Sequence, residues 1–379
     1  MRKNPAIQRD LLAAAVLHLR SGHAVSRSSL AVALGLAPST VGLYVDQLIA
    51  DGYVDELGLE QGPLGRPKRR LATLPDAGWF AGVEFNAERV QAVSVNFSGE
   101  RVTAQSKWLP DGADKRTVLQ TIKAVVGTLA KNTSGQLLAI GAGAPGVVDP
   151  DAGIGAHYSF IPDWRNVPFA ETLRERFEVP VTVENNLRVI ALAERWFGGG
   201  RDLENYVVLG PRSGFGAAIV HHGKLMRGAH FAAGEVGLIP WWVGSGSGKM
   251  ELHNSLSAPA VWRRLAGASL RARVPEDLRA ALMAFAGTNS AAWSEIVAEY
   301  ASVIGCLQLL LDTECFFLHG PLTSLGERFC VQVVTEIRKT IPALSESPLR
   351  MVPSTLGDDA GALGAASLAM EAWAPRLVG

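Results

Sequence analysis

The chain has 379 residues, with 36 Lys plus Arg against 36 Asp plus Glu, so its formal net charge is zero; 48% of residues are hydrophobic and 19% charged. That length supports two or three domains, and that composition allows large buried cores. The charge is uneven: residues 1–72 hold nine basic against six acidic residues (+3), and the remainder holds 27 against 30 (−3). A modestly basic N-terminal piece on a slightly acidic body is the pattern of a small DNA-binding module joined to a ligand-binding body. The opening "MRKNPAIQRDLLAAAVLHLR" carries polar residues through its apolar part and no small-residue cleavage pattern, so no secretory signal is expected. No window approaches an uncharged membrane span. Three sparse cysteines, Cys306, Cys315 and Cys330, fit a reducing cytoplasm and free buried thiols, and their spacing matches no zinc pattern.

The first element is an amphipathic helix, with Leu11, Leu12, Ala15, Val16 and Leu19 on one side. "SRSSLAVALGLAPSTVGLYVDQLIADGYVDE" then reads as a short helix over 28–34, a turn at Gly35, and a second helix starting near Pro38 or Ser39. Ser26 and Ser39 are candidate N-caps. Ala31, Leu36, Val41 and Leu48 fall where two crossing helices touch, which is the helix-turn-helix pattern. On that reading the second helix exposes Ser39, Thr40, Gly42, Leu43, Tyr44 and Asp46. Thr40 and Tyr44 then reach phosphates or base edges. "DELGLEQGPLGRPKRRLATL" predicts two short strands with a Gly/Pro-rich tip, a wing. Its basic residues Arg66, Lys68, Arg69 and Arg70 suit phosphate contact, and Arg66 suits a narrow minor groove.

From Trp79 the pattern changes. "WFAGVEFNAERVQAVSVNFSGERVTAQSKW" predicts three strands joined by tight turns. A helix follows, then the apolar strand "LLAIGAGAPGVV". The same order restarts at residue 205: "NYVVLGPRSGFGAAIVHHGKLMRG" is a second three-strand meander. Helices over about 257–312, the strand "CFFLHG", a helix, the strand "LRMVP" and a small-residue helix complete the chain. The repetition predicts two related α/β lobes with a ligand cleft between them. The expected division is 1–74 for the winged helix-turn-helix and 75–379 for the body, with lobe 1 over about 75–185 and lobe 2 over about 186–379. In a phosphotransfer enzyme built this way, the first turn of each meander would hold nucleotide phosphates, which requires glycine-rich backbone. "GPRSGFG" partly qualifies. "EFNAER" has no glycine, and Glu88 would repel a triphosphate.

Ordered segments along nearly the whole chain resemble the ROK family (repressors, open reading frames and sugar kinases). "IGAGAPGVVDPDAG" resembles its Gly-x-x-Pro-Gly turn, "VPVTVENNLRVIALAERWFGGGRDLENYVVL" its Val-Glu-Asn-Asp segment, and "GKLMRGAHFAAGEVGLIP" its Ala-Gly-Glu-hydrophobic-Gly-His motif. A fused winged helix with "GRP" at the wing is similar to the family's repressor arrangement. The resemblance implies an actin-like (ribonuclease H-like) two-lobed body and the role of a DNA-binding transcription regulator, a repressor by expectation. The partners it implies are operator DNA and a sugar-like effector, with a homodimer or dimer of dimers and no membrane. A sugar kinase with a non-standard active site is the alternative.

The departures from the family bear on that alternative. Its Asp-x-Gly-Gly-Thr phosphate loop is "EFNAE" here, and its catalytic base falls on Asn186. Its zinc-binding His falls on Leu238, and "VGSGSGKME" has no cysteine. A sugar-contacting Asn falls on Phe160. Neither zinc nor ATP is therefore expected, and no catalytic residue is assigned. Asn185, Asn186, Glu235 and Glu251 stand where the resemblance implies hydrogen bonds to sugar hydroxyls, a role that amides and carboxylates suit. His253, two residues after Glu251, either lines the cleft or lies at the surface. A metal-dependent hydrolase using His221, His222, His230 and His253 is disfavoured, because neighbours on a strand point to opposite faces.

Overall fold

The computed structural model of the chain describes residues 5–60, 68–242, 249–288 and 290–376. The N-terminal elements are α1 (Pro5–Arg20), α2 (Arg27–Leu34), α3 (Pro38–Ala50), and the antiparallel pair β1 (Val54–Glu60) and β2 (Lys68–Thr73). Helix α2 starts in a capping box, with Ser26 Oγ accepting from Ser29 N and Ser29 Oγ accepting from Ser26 N. It stops at Gly35, whose φ of 63° suits glycine. The chain turns by 115° into α3. Ala37 is the N-cap residue of α3 and Pro38 opens it, so Ser39 lies inside the helix and is not its cap.

Next come β3 (Trp79–Phe85), β4 (Arg89–Asn96), β5 (Arg101–Trp108), α4 (Lys115–Lys131), β6 (Leu137–Ala144), the short strands β7 (Val147–Asp149), β8 (Ile154–His157) and β9 (Arg165–Val167), α5 (Phe169–Phe177), β10 (Val181–Asn185) and α6 (Asn186–Phe197). The first sheet has the order β10-β6-β3-β4-β5, antiparallel through the meander and parallel beyond it. Strand β3, "WFAGVEF", is apolar at nearly every position because both its faces are covered. Strand β5 is the edge and is largely exposed, with Arg101 and Lys107 among its outward residues.

The second half contains β11 (Tyr206–Leu209), β12 (Ala217–His221), β13 (Lys224–Leu225), β14 (Pro240–Trp242), β15 (Lys249–Glu251), α7 (His253–Leu256), α8 (Ala258–Leu265), α9 (Leu278–Met283), α10 (Ala291–Leu311), β16 (Cys315–Leu318), α11 (Gly326–Thr340), β17 (Arg350–Pro353) and α12 (Ala360–Ala372). Its sheet runs β13-β12-β11-β16-β17, the same order and polarity as the first. Two copies of one topology are what the repeated meander predicts. Helix α10 alone among the described residues is long and apolar enough to cross a membrane; it carries two glutamates, and Trp293, Ile296, Tyr300, Ile304 and Leu307 on it belong to the second core.

The chain forms two compact units, residues 1–189 with 361–379, and residues 190–360. The first unit includes the N-terminal elements as well as the first sheet, and the last helix, α12, packs on that sheet. A methyl group added at Gly82 would lie 1.9 Å from Ala362 O, and one added at Gly141 would lie 1.7 Å from Ala365 O. The helix backbone thus lies directly on β3 and β6. All three cysteines are free, but Cys306 is exposed and only Cys315 and Cys330 are buried.

Gly141→Ala must push α12 off the sheet. We expect a loss of about 3 kcal/mol in urea unfolding, whereas Gly127→Ala, in open space on α4, should be neutral or stabilise by about 0.5–1 kcal/mol. Stability should also fall in mild acid. Burial, with Arg212 and Arg279 nearby and Asp358 opposing them, lowers the pKa of His319 to about 3, so below its ordinary value the unfolded chain binds a proton that the native chain refuses. Urea midpoints at pH 7.5 and pH 5 should reveal a loss of about 1–2 kcal/mol, and His319→Gln should flatten that difference.

Candidate nucleic-acid interface and ligand site

Helix α3 buries Val41, Tyr44, Val45 and Leu48. Their spacing, with gaps of three, one and three residues, is one continuous helical stripe, so Tyr44 faces the module's core. This corrects the expectation that Tyr44 contacts DNA. The outward face holds Ser39, Leu43 and Asp46, with Thr40 half-buried beside them. No Lys or Arg lies on α3. The basic charge sits on the wing. Arg69 and Arg70 are exposed on β2, and Lys68 opens that strand opposite Glu60. Arg66, at the tip, lies outside the described residues.

Arg27, which the sequence did not single out, ties this module together. Its Nε donates to Glu56 Oε1 (2.9 Å), Nη1 to Gly42 O (3.0 Å) and Nη2 to Asp46 Oδ1 (2.7 Å). Glu56 Oε2 also accepts from Arg69 (2.7 Å). The bonds from Arg69 and Arg27 hold the Glu56 carboxyl below its ordinary value. One guanidinium thus fixes α2, α3 and the wing relative to each other.

Candidate ligand residues occur in each unit. In the first, Asn185 ends β10 and caps α6: its Oδ1 accepts from Leu187 N (2.9 Å) and its Nδ2 donates to Gly146 O (2.9 Å). Asn186 opens α6, is half-buried, and among the described residues its carboxamide has no hydrogen-bond partner. Glu184, the one carboxylate of the "ENN" triplet, is fully buried and accepts from Asn185 N (2.8 Å) and Arg188 Nη1 (3.1 Å). Its carboxylate is paired with the buried Arg188 inside the fold. Glu84 is also buried, at 2% exposure. A methyl group added at Gly143 would meet Glu84 Cγ at 3.3 Å and Asn186 Cα at 3.5 Å, so the three are neighbours. The sequence missed Glu84 and Arg188; only the four-residue spacing of Glu184 and Arg188 signalled that pair.

The first meander turn is closed by its own side chain. Asn86 Oδ1 accepts from Glu88 N and Arg89 N, both at 2.8 Å, taking up amides a phosphate would need. Glu88 itself is exposed.

In the second unit, Glu235 is half-buried at the start of a short 3-10 turn and Glu251 is exposed on β15. His253 is half-buried. Its Nδ1 accepts from Phe215 N (2.8 Å), which places the ring proton on Nε2. Added methyl groups at Gly214 and Gly237 would meet the ring at 2.8 Å and 2.3 Å. His253 therefore braces the "GPRSGFG" turn against the "EVG" segment. In that turn Arg212 N is held by Gly210 O and Gly214 O, both at 2.9 Å. Leu238 and Phe160 are exposed, and Trp241 packs on the second core. Among the described residues no three His, Cys, Asp or Glu side chains group as metal donors; residues 243–248, most of "VGSGSGKME", lie outside them.

A model of the ROK family matches residues 80–372. The xylose repressor of Caldicellulosiruptor bescii is 30% identical over 218 residues, 56% of this chain and 54% of that protein. The chain spans about half the length of the first curated relatives it matches. Among solved structures, a ROK family transcriptional regulator, homolog of the E. coli MLC protein, superposes with a TM-score of 0.78 at 20% identity, covering 96% of this chain and 97% of that one. A Streptomyces griseus ROK glucokinase in complex with glucose and AMPPNP superposes with a TM-score of 0.63 at 22% identity, covering 77% of this chain and 99% of that one. With nearly three hundred consecutive residues matched, from β3 to the end of α12, the chain belongs to the ROK family.

Proposed function

We propose that this chain is a DNA-binding transcriptional regulator, a repressor, whose body is a sugar-kinase-like fold used to sense an effector. The observation that carries this reading is the segment ahead of the family match at residue 80. The glucokinase fold accounts for 77% of this chain, the regulator fold for 96%. The difference is about the size of that segment, which here is a helix-turn-helix with a wing. The similarity to a protein named as a repressor points the same way.

Phosphotransfer is not expected. Asn186 stands at the base position and cannot take a proton, a loss worth about 10²–10⁴ in rate. Asn86 occupies the amides of the first turn. Neither ATP nor zinc has a role in this reading. The effector is a sugar or sugar derivative; Asn185 and Asn186 in the first unit and Glu235 and Glu251 in the second are each candidate hydrogen-bonding residues for it, and His253 braces the loops that carry the latter pair. The protein acts in the cytoplasm as a homodimer or dimer of dimers on two half-sites. Ser39 and Thr40 lie on the helix that enters the groove, and Arg66, Lys68 and Arg69 contact phosphates.

Selection from a random DNA library with the full chain should yield a defined site at about 150 mM salt; enrichment of no sequence would sink the regulator reading. On that site, Arg69→Ala should weaken binding at all sequences alike and lower the log K against log salt slope by about 1. A coupled ADP-release assay with D-glucose, D-xylose and N-acetylglucosamine should stay at background for the wild type and for Asn186→Asp. Turnover in that single variant would show the first turn to be competent for phosphate. Thermal shifts with the same three sugars should detect one ligand, and Asn186→Ala should abolish that shift.

A further inference from the structure

Arg20 is the last residue of α1, and among the described residues it has no carboxylate partner. Its guanidinium lies over two ring faces, 5.1 Å from the Phe80 centroid and 4.6 Å from that of Phe97. Nε donates to Phe97 O (2.7 Å), Nη1 donates to Met370 O (3.1 Å), and Nη2 is enclosed without a hydrogen bond. Burial brings its pKa down to about 9. A cation held away from water without an acid is costly, so something else must offset it.

Two features do so. Met370 O is among the last four carbonyls of α12, which have no partner within the helix. Arg20 satisfies it and sets positive charge on the negative end of the helix dipole. The ring faces add cation–π attraction. Around them Tyr53 stacks on Phe97 (5.3 Å), and Trp373 meets Tyr53 (5.0 Å), Phe97 (4.9 Å) and Phe80 (6.4 Å) edge-on. This cluster joins α1 and the start of the wing to β3, β4 and the end of α12.

The opposite end of α12 rests on Glu84. A methyl group added at Gly361 would lie 2.6 Å from Glu84 Cγ and 2.9 Å from its carboxyl carbon. A buried acid that neighbours Asn186 thus meets the positive end of the helix, and a base from α1 meets the negative end. The 13-residue helix between them is about 20 Å long.

We infer that Arg20 is a positioning residue that fixes the N-terminal helical module on α12, and that α12 is the element coupling Glu84, the buried neighbour of the candidate ligand residue Asn186, to that module. The coupling has regulatory meaning only if the DNA-binding reading above holds, but its test needs no DNA. Hydrogen exchange on the full chain would compare Arg20→Met, Arg20→Lys, Glu84→Gln and the double variant R20M/E84Q. Arg20→Met should speed exchange in α1–α3 about tenfold while β3, β4 and β6 keep their protection, and Arg20→Lys should do so less. Glu84→Gln should also speed exchange in α1–α3, and the double variant should add nothing beyond Arg20→Met. Equal loss across the whole first unit would reduce Arg20 to a core contact. Unchanged α1–α3 in Glu84→Gln, or independent effects in the double variant, would overturn the coupling. Trp373→Leu, which loosens the same cluster from the α12 side, should reproduce the Arg20→Met pattern and serves if that variant does not fold. Failure to select any DNA would overturn the regulator reading and leave these exchange results standing.

Discussion

The direct contact between the backbone of α12 and the first sheet is the constraint on which much of the first unit depends. It exists because Gly82 and Gly141 sit side by side on β3 and β6, paired in register, and because the helix presents Ala362, Ala365, Ala366 and Ala369 to them. Such a helix has little side-chain area to bury, so its hold comes from close packing over its length and from what meets its ends. Glycines at the contact and small residues on the helix are one solution seen from two sides. Enlarging either side separates the layers.

That closeness shapes the surroundings of the start of α6, where Asn186 stands. With α12 pressed onto the sheet, the Glu84 side chain has room only between Gly143, the start of α6 and Gly361. It is held there as a structural acid, much as Glu184 is held by Arg188. Two carboxylates that a sequence reader would offer as proton acceptors are therefore sealed into the fold. What the start of α6 leaves half-exposed is an amide, Asn186. An amide can donate to one hydroxyl and accept from another without changing protonation state, which suits recognition and gives no general base.

The parts of this architecture that follow from local pattern were legible in the sequence. Both meanders, the helix-turn-helix and the wing strands arise from periodicity and turn residues within a few positions of each other. Tyr44 was misplaced although its information was present: Val41 and Leu48 marked the buried stripe, and Tyr44 with Val45 completes it at helical spacing. The roles of α12, Arg20 and Glu84 were not legible. Each depends on residues 224 to 350 positions apart meeting in space, and nothing in "DDAGALGAASLAMEAW" says which sheet it will cover. Its uniform smallness does carry a signal in retrospect, since a helix of alanines needs a glycine-bearing partner surface, and the first lobe's central strands carry Gly82, Gly141 and Gly143.

The N-terminal module distributes its charge in a way that the overall count conceals. Helix α3 is free of basic residues, and its one acid, Asp46, is tied to Arg27. On the regulator reading, long-range attraction to phosphates therefore comes from outside α3, with Arg69 and Arg70 exposed on the wing strand β2. On the regulator reading, such a helix contributes shape and local contacts: Ser39 for hydrogen bonding, Leu43 for apolar contact with thymine methyls, and Gly42 for close approach. Separating charge from shape makes affinity and specificity independently adjustable, provided the two elements keep a fixed geometry. Arg27 is the residue that meets this proviso, because the same guanidinium holds Gly42 and Asp46 of the helix and Glu56 of the wing. Its loss would leave both elements folded and both surfaces intact, with only their relation undefined.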